Sequence, residues 1–183
     1  MKSILLSIRP EWVEKILNGE KTIEVRKQFP KDYVGWVYIY CSKATKSNER
    51  LLGNHKDNYR YHTTNDHIDF YSDYMLRNIV NGKVVARFWC DKVEEITTEK
   101  WSPSKEQDLL KASCLTENQL FDYCNLESGK PFYAINISKL EIFDEPKELS
   151  EFNYWKDKSE YGCWYENKLT KAPQSLCYIE GEE

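Results

Sequence analysis

An α+β fold is what this chain predicts, and three observations carry the prediction. Residues 36–41 (Trp-Val-Tyr-Ile-Tyr-Cys) alternate between two faces as a strand does, and residues 83–91 and 132–138 read as strands as well. Residues 10–17 space their apolar side chains as a helix, with Trp12/Ile16 and Val13/Leu17 as i,i+4 pairs. Two later segments open with capping boxes, Ser104 with Gln107 and Thr116 with Gln119, and so predict two further short helices.

Taken in order, residues 3–8 are expected to form a first buried strand. Pro10 suits the first position of the following helix, Glu11 favours its N-terminal dipole, and Asn18-Gly19 stops it. From Thr22 a second strand begins, in which Ile23 and Val25 alternate with Thr22, Glu24 and Arg26. Pro30 to Gly35 make a turn into the strand 36–41, where Trp36, Tyr38 and Tyr40 share a face that suits base stacking or the packing of a helix. Residues 42–81 read as an insertion, loop-like through His62 and then helical with Ile68, Tyr71, Met75 and Ile79. Lys43, Lys46, Arg50, Lys56 and Arg60 beside Tyr59 and Tyr61 make its first half a possible nucleic-acid contact.

The strand 83–91 continues toward Val93 and Ile96. In the two capped helices Leu109, Leu110, Leu120 and Tyr123 supply the buried contacts, and Gly129 closes the pair. Residues 132–138 and 140–143 are strands, and Asp144-Glu145-Pro146 turns the chain. A segment rich in aromatics and lysines, residues 154–165, precedes a closing strand at 172–179. One domain over residues 1–183 accommodates all of this.

Composition bounds the function. The chain is 40% hydrophobic and 14% aromatic, too apolar for a disordered segment, and no apolar run approaches the roughly 18 residues that span a bilayer. Arg9 and Pro10 interrupt the start before a secretory apolar region develops, so a cytoplasmic location is expected. The six scattered cysteines contain no C-x-x-C and read as free buried thiols. His55, His62 and His67 lack a fourth partner at zinc spacing, so neither a metal nor a cofactor is expected. The formal charge of −4 argues against a protein that clamps duplex DNA. Residues 1–62, however, hold 12 Lys/Arg against 7 Asp/Glu, a local excess that suits a small anionic ligand or a short single strand.

The basic half contains Gly19-Glu20-Lys21-Thr22-Ile23-Glu24-Val25-Arg26. Glu24 and Arg26, two residues apart on a strand, point the same way, and Lys21 at the turn can swing toward them. Such a group can bind an anion or polarise a carbonyl; on an exposed face it would be only a solvated ion pair worth roughly 0–1 kcal/mol.

The segment SIRPEWVEKILNGEKTIEVRK resembles the signature of the ASCH family, a branch of the PUA-like β-barrels, whose motif runs G-x-K-x-x-E-x-R. Gly19, Lys21, Glu24 and Arg26 match it. NGKVVARFWCDKVEEI, SCLTENQLFDY, FYAINISKLEIFDEPKELSEF and APQSLCYIE are similar to segments of the larger, phage- and prophage-associated ASCH proteins, so the resemblance covers nearly the whole chain. It implies a PUA-like small antiparallel β-barrel flanked by helices, with a cleft at the motif. It also implies binding of RNA, single-stranded nucleic acid or a modified nucleoside, since relatives of this fold bind RNA. Some members hydrolyse acylated cytidine nucleosides, and at least one is a ribonuclease.

The candidate ligand-binding set is Arg9, Gly19, Lys21, Thr22, Glu24, Arg26, Tyr40 and Ser175, with Lys21 and Glu24 catalytic if the protein is an enzyme. The small amidohydrolases carry G-x-K-T-x-T-x-R; Lys21 and Thr22 match, but Glu24 replaces the second threonine with a carboxylate that would serve as base or counter-ion. Their distant glutamate has four possible counterparts here, Glu94, Glu95, Glu99 and Glu106. Three readings follow: a binding module, which leads; a hydrolase using Lys21 and Glu24; and a phage protein-interaction factor in which the motif is structural.

Overall fold

A computed structural model describes residues 1–43, 50–54, 59–64, 79–97, 102–155 and 167–182. The chain begins with β1 (Lys2–Ile8), α1 (Pro10–Leu17), β2 (Ile23–Arg26) and β3 (Gly35–Cys41). A hairpin of β4 (Arg50–Asn54) and β5 (Tyr59–Thr64) follows, then β6 (Val84–Cys90) and β7 (Val93–Ile96). Helices α2 (Pro103–Ser113) and α3 (Glu117–Cys124) precede β8 (Phe132–Asn136), β9 (Ser138–Lys147) and β10 (Leu176–Glu180).

The α+β class holds. The strands form a five-stranded sheet in the order β10-β1-β3-β6-β9 and a three-stranded sheet in the order β2-β8-β7, with β4 and β5 paired apart. All pairs are antiparallel except β1 with β3, which α1 and β2 separate in sequence. The closed barrel expected from the resemblance does not form among the described residues. The chain leaves the larger sheet between Cys90 and Val93 and returns to it at Ser138, so each sheet keeps two ends.

Alternation along the strands explains how the layers stack. On β1, Ile4, Leu6 and Ile8 face one cluster with Val13 and Ile16 of α1, Val37, Ile39, Phe88 and Ile135. Leu5 faces the opposite side with Tyr38, Tyr40, Val84, Phe152, Leu169 and Ile179. The strand is buried on both faces, which is why its sequence reads as a continuous apolar run. A third cluster joins Val25, Phe132 and Ala134 of the smaller sheet to Leu109, Leu120 and Cys124 of the helices. No helix among the described residues is long and apolar enough to cross a membrane.

Several local expectations change. Residues 50–54 and 59–64 pair as strands rather than forming a loop, while 65–78, with the expected helix there, lie outside the described residues, as does most of 154–165. Ser102, not Ser104, caps α2, because Pro103 takes the first helical position and the Ser102 hydroxyl accepts from the Lys105 N–H at 3.4 Å. The Thr116/Gln119 box on α3 forms as expected. Asp144-Glu145-Pro146 is strand, not turn; β9 is an edge, where proline leaves no ladder bond unmade. Cys90, Cys114, Cys124 and Cys177 are free thiols, and burial pushes Cys90, Cys124 and Cys177 up to about 11; Cys41 is buried, and Cys163 lies outside the described residues.

Where β1 and β10 meet, Gly181 crosses over Ser3. A methyl group added at Gly181 would overlap the Ser3 hydroxyl and lie 2.7 Å from Ser3 Cβ, which no rotation of the serine can move. Gly181→Ala is expected to lower stability by about 1–3 kcal/mol, read from the midpoint of urea unfolding.

Candidate functional site

Helix α1 ends at Asn18, and Gly19 takes φ +75°, a conformation that favours glycine. The N–H groups of Glu20 and Lys21 then both donate to Lys15 O, at 2.9 and 3.0 Å, closing a tight turn. Thr22 N–H donates to Ala112 O on α2 at 2.8 Å, and Thr22 O accepts from Ile137 N–H at 2.9 Å. The motif is thus clamped between α2 and the end of β8 before β2 begins.

From this turn the Lys21 ammonium reaches inward. It donates to Ser113 O, the last residue of α2, at 2.6 Å, so a cation meets the negative end of a helix. It lies 3.4 Å from Glu24 Oε2 and 5.3 Å from the centre of the Trp12 ring. Glu24 Oε1 lies 2.9 Å from Arg26 Nε, a contact of charge too oblique for a hydrogen bond. Arg26 Nη2 donates to Ser7 O at 2.6 Å, and Ser7 in turn donates its hydroxyl to Pro173 O and its N–H to Ser175 O. A single row of contacts therefore runs from the end of α2 through Lys21, Glu24 and Arg26 to the end of β1.

The row is buried: Lys21 is 3% exposed, Glu24 6% and Arg26 8%. It forms the floor of a cleft of about 670 Å³. Trp12 stands beside the Lys21 end. Tyr123 of α3 stands at the other end, where the Lys27 ammonium is 5.4 Å from its ring centre. Burial raises the Tyr123 phenol above its ordinary pKa and the Arg26 guanidinium pulls it partly back. Arg9, Lys27, Gln28, Gln174 and Ser175 make an exposed rim. Four cations, Arg9, Lys21, Arg26 and Lys27, share the cleft with Glu24, its only carboxylate among the described residues.

The fold has solved counterparts. The crystal structure of ASCH from Zymomonas mobilis superposes with a TM-score of 0.57 at 15% identity, covering 97% of this chain and 87% of that one. The chain has the ASCH fold. A tyrosine-to-phenylalanine mutant of the Zymomonas mobilis protein matches at TM-score 0.56 and 15% identity, covering 98% and 91% of the two chains. A serine-to-alanine mutant matches at 0.57 and 14%, covering 97% and 88%. No protein-family model and no curated protein matches the sequence.

Within this ASCH fold Lys21, Glu24 and Arg26 come together, with Arg9 and Ser175 at the rim. Gly19 makes the turn but does not line the cleft, and Thr22 is exposed beside it, engaged through its backbone. Tyr40 lies elsewhere. It is 3% exposed in the cluster around Leu5 and Val84, and burial raises its phenol pKa. The row Trp36, Tyr38, Tyr40 is a packing surface, for Phe143 and Phe152 and for Leu149 of a short 3-10 helix, Leu149–Glu151. Of the four candidate glutamates, Glu94 and Glu95 line a different groove, Glu106 lies on α2 away from the cleft lining, and Glu99 lies outside the described residues. Sequence reasoning missed Tyr123, which is 40% exposed rather than a buried contact. It also missed Lys27, which only continued the charge pattern of the motif.

Proposed function

We propose that this chain, acting as one cytoplasmic domain, binds single-stranded RNA by receiving one nucleotide in the cleft. The observation that carries the reading is the floor itself: a buried Lys21-Glu24-Arg26 row, held rigid at both ends, opening onto a cleft with an excess of three positive charges. Exposed Arg9 and Lys27 suit phosphate oxygens, Trp12 and Tyr123 offer faces to a base, and Glu24 can accept from a base amino group. Buried side chains already fixed by Ser7 O and Ser113 O lose little freedom when a ligand arrives.

The test is a fluorescence titration of a labelled RNA oligonucleotide at two salt concentrations. With two or three phosphate contacts on a single strand, affinity is expected to fall roughly tenfold between 50 and 200 mM salt. RNA that fails to bind even at low ionic strength would overturn the reading.

A hydrolase is the second reading, favoured by the 3.4 Å approach of the Lys21 ammonium to Glu24. Lys21 has three N–H donors, and Ser113 O takes one. A donor left over would polarise a carbonyl or phosphoryl oxygen while Glu24 activates water. Release of product from acylated cytidine or from RNA by the purified protein would favour this reading.

A further inference from the structure

The smaller sheet has an end that the cleft does not use. Among the described residues β7 pairs only with β8, placing Val93 opposite Ile135, Glu94 opposite Ala134, Glu95 opposite Tyr133 and Ile96 opposite Phe132. Lys92 O accepts from Asn136 N–H at 3.0 Å, so the antiparallel alternation turns the N–H and C=O of Val93 and Glu95 away from the sheet. Among the described residues these groups meet no partner strand.

Beside this edge, between β7, β8 and α2, lies a groove of about 310 Å³. Its floor is apolar, with Ile23, Leu109, Ala112 and Ala134. Its charged lining is Glu94 and Asp108 against Lys105, the opposite sign from the cleft, while the Glu95 carboxylate lies on the other face of the sheet and accepts from the Tyr133 hydroxyl at 3.1 Å. Charges on an edge strand commonly serve to discourage pairing. Here Glu94 and Asp108 outnumber Lys105 around a cavity large enough for a long side chain, so they select a partner rather than refuse all of them. A polyanion such as RNA is repelled, and a strand with cationic side chains is attracted.

We propose that the β7 edge and this groove dock an extended, basic and apolar segment of a partner protein, added to the sheet as a fourth strand beyond β7. Main-chain bonds to Val93 and Glu95 supply the pairing. Side chains on the groove side lay their methylenes over Ala134 and Leu109 and carry a cation to Glu94 and Asp108. The Glu94 carboxylate is paired at 3.3 Å with Lys92, but both partners are largely exposed and the pair gives way at little cost.

The test is a titration of the 15N-labelled full chain with three capped synthetic peptides. One is Val-Arg-Val-Lys-Val-Arg, one is Val-Glu-Val-Asp-Val-Glu, and one is the first with two central prolines. The basic peptide is expected to shift the amides of Val93–Ile96 and Ala134, and the other two to bind at least about tenfold more weakly. Glu95→Pro, which removes one outward N–H and spares the β8 ladder, is expected to weaken the basic peptide by a similar factor. So is the charge reversal Glu94→Lys/Asp108→Lys, and this variant decides if Glu95→Pro disturbs the folded spectrum. The proposal is overturned if no peptide binds, if the variants bind unchanged, or if the shifts fall on Lys21 and Arg26 and RNA competes. Because RNA is titrated separately against the cleft, either reading can fail alone.

Discussion

Glu24→Gln is expected to cost the folded state about 3–5 kcal/mol, the range for removing one partner from a buried ion pair. The amide keeps the size of the carboxylate but not its charge. Lys21, 3% exposed, and Arg26, 8% exposed, would then face each other across an uncharged amide whose single oxygen can accept from only one of them, beside the carbonyls of Ser113 and Ser7. Urea unfolding should show a lower midpoint at unchanged slope. Lys92→Gln is the control. It breaks a pair of similar length, 3.3 Å, whose side chains are 70% and 46% exposed, and should cost no more than about 1 kcal/mol. If Glu24→Gln behaves like the control, the cleft floor is solvated and its rigidity is lost as an argument for ligand binding.

The second large effect concerns RNA, and it separates two parts of the cleft. Arg9→Ala/Lys27→Ala removes both exposed rim cations without touching the buried row. It is expected to flatten the salt dependence and weaken binding about tenfold or more at low salt. Tyr123→Ala removes a ring that is 40% exposed and so contributes little to the core. Loss of one stacked base should weaken binding by about 1–3 kcal/mol at every salt concentration, with the slope preserved. A Tyr123 variant that changes the slope, or a rim variant that does not, would mean that the nucleotide lies elsewhere.

What could be read from sequence was what is local. The helix 10–17, its Gly19 stop and the alternation of β2 follow from neighbours within one or two turns of chain, and the structure repeats them almost residue for residue. The row's long-range anchors were beyond such reading: Ser113 is 92 positions from Lys21 and belongs to a different helix. Tyr123 shows the limit from the other side. Helical spacing gives it an apolar neighbour in Leu120, but only the docking of α3 against β2 decides that its ring faces the cleft. Ser104 opens a box that is complete in sequence, yet Pro103 moves the helix start back and makes Ser102 the cap. β9 running through Pro146 needs the knowledge that it ends the order of described strands, which is a property of the sheet.

The pairing of β1 with β10 has a mechanical side. Lys2 lies opposite Glu180 and Leu6 opposite Leu176, so the two strands leave the sheet from the same end. Pulled apart at Lys2 and Glu180, they would be loaded one hydrogen bond at a time, like a zip, instead of all bonds sharing the force in shear. The fold should therefore yield to modest tension from its ends, peeling β10 away first and laying bare the flank of β1.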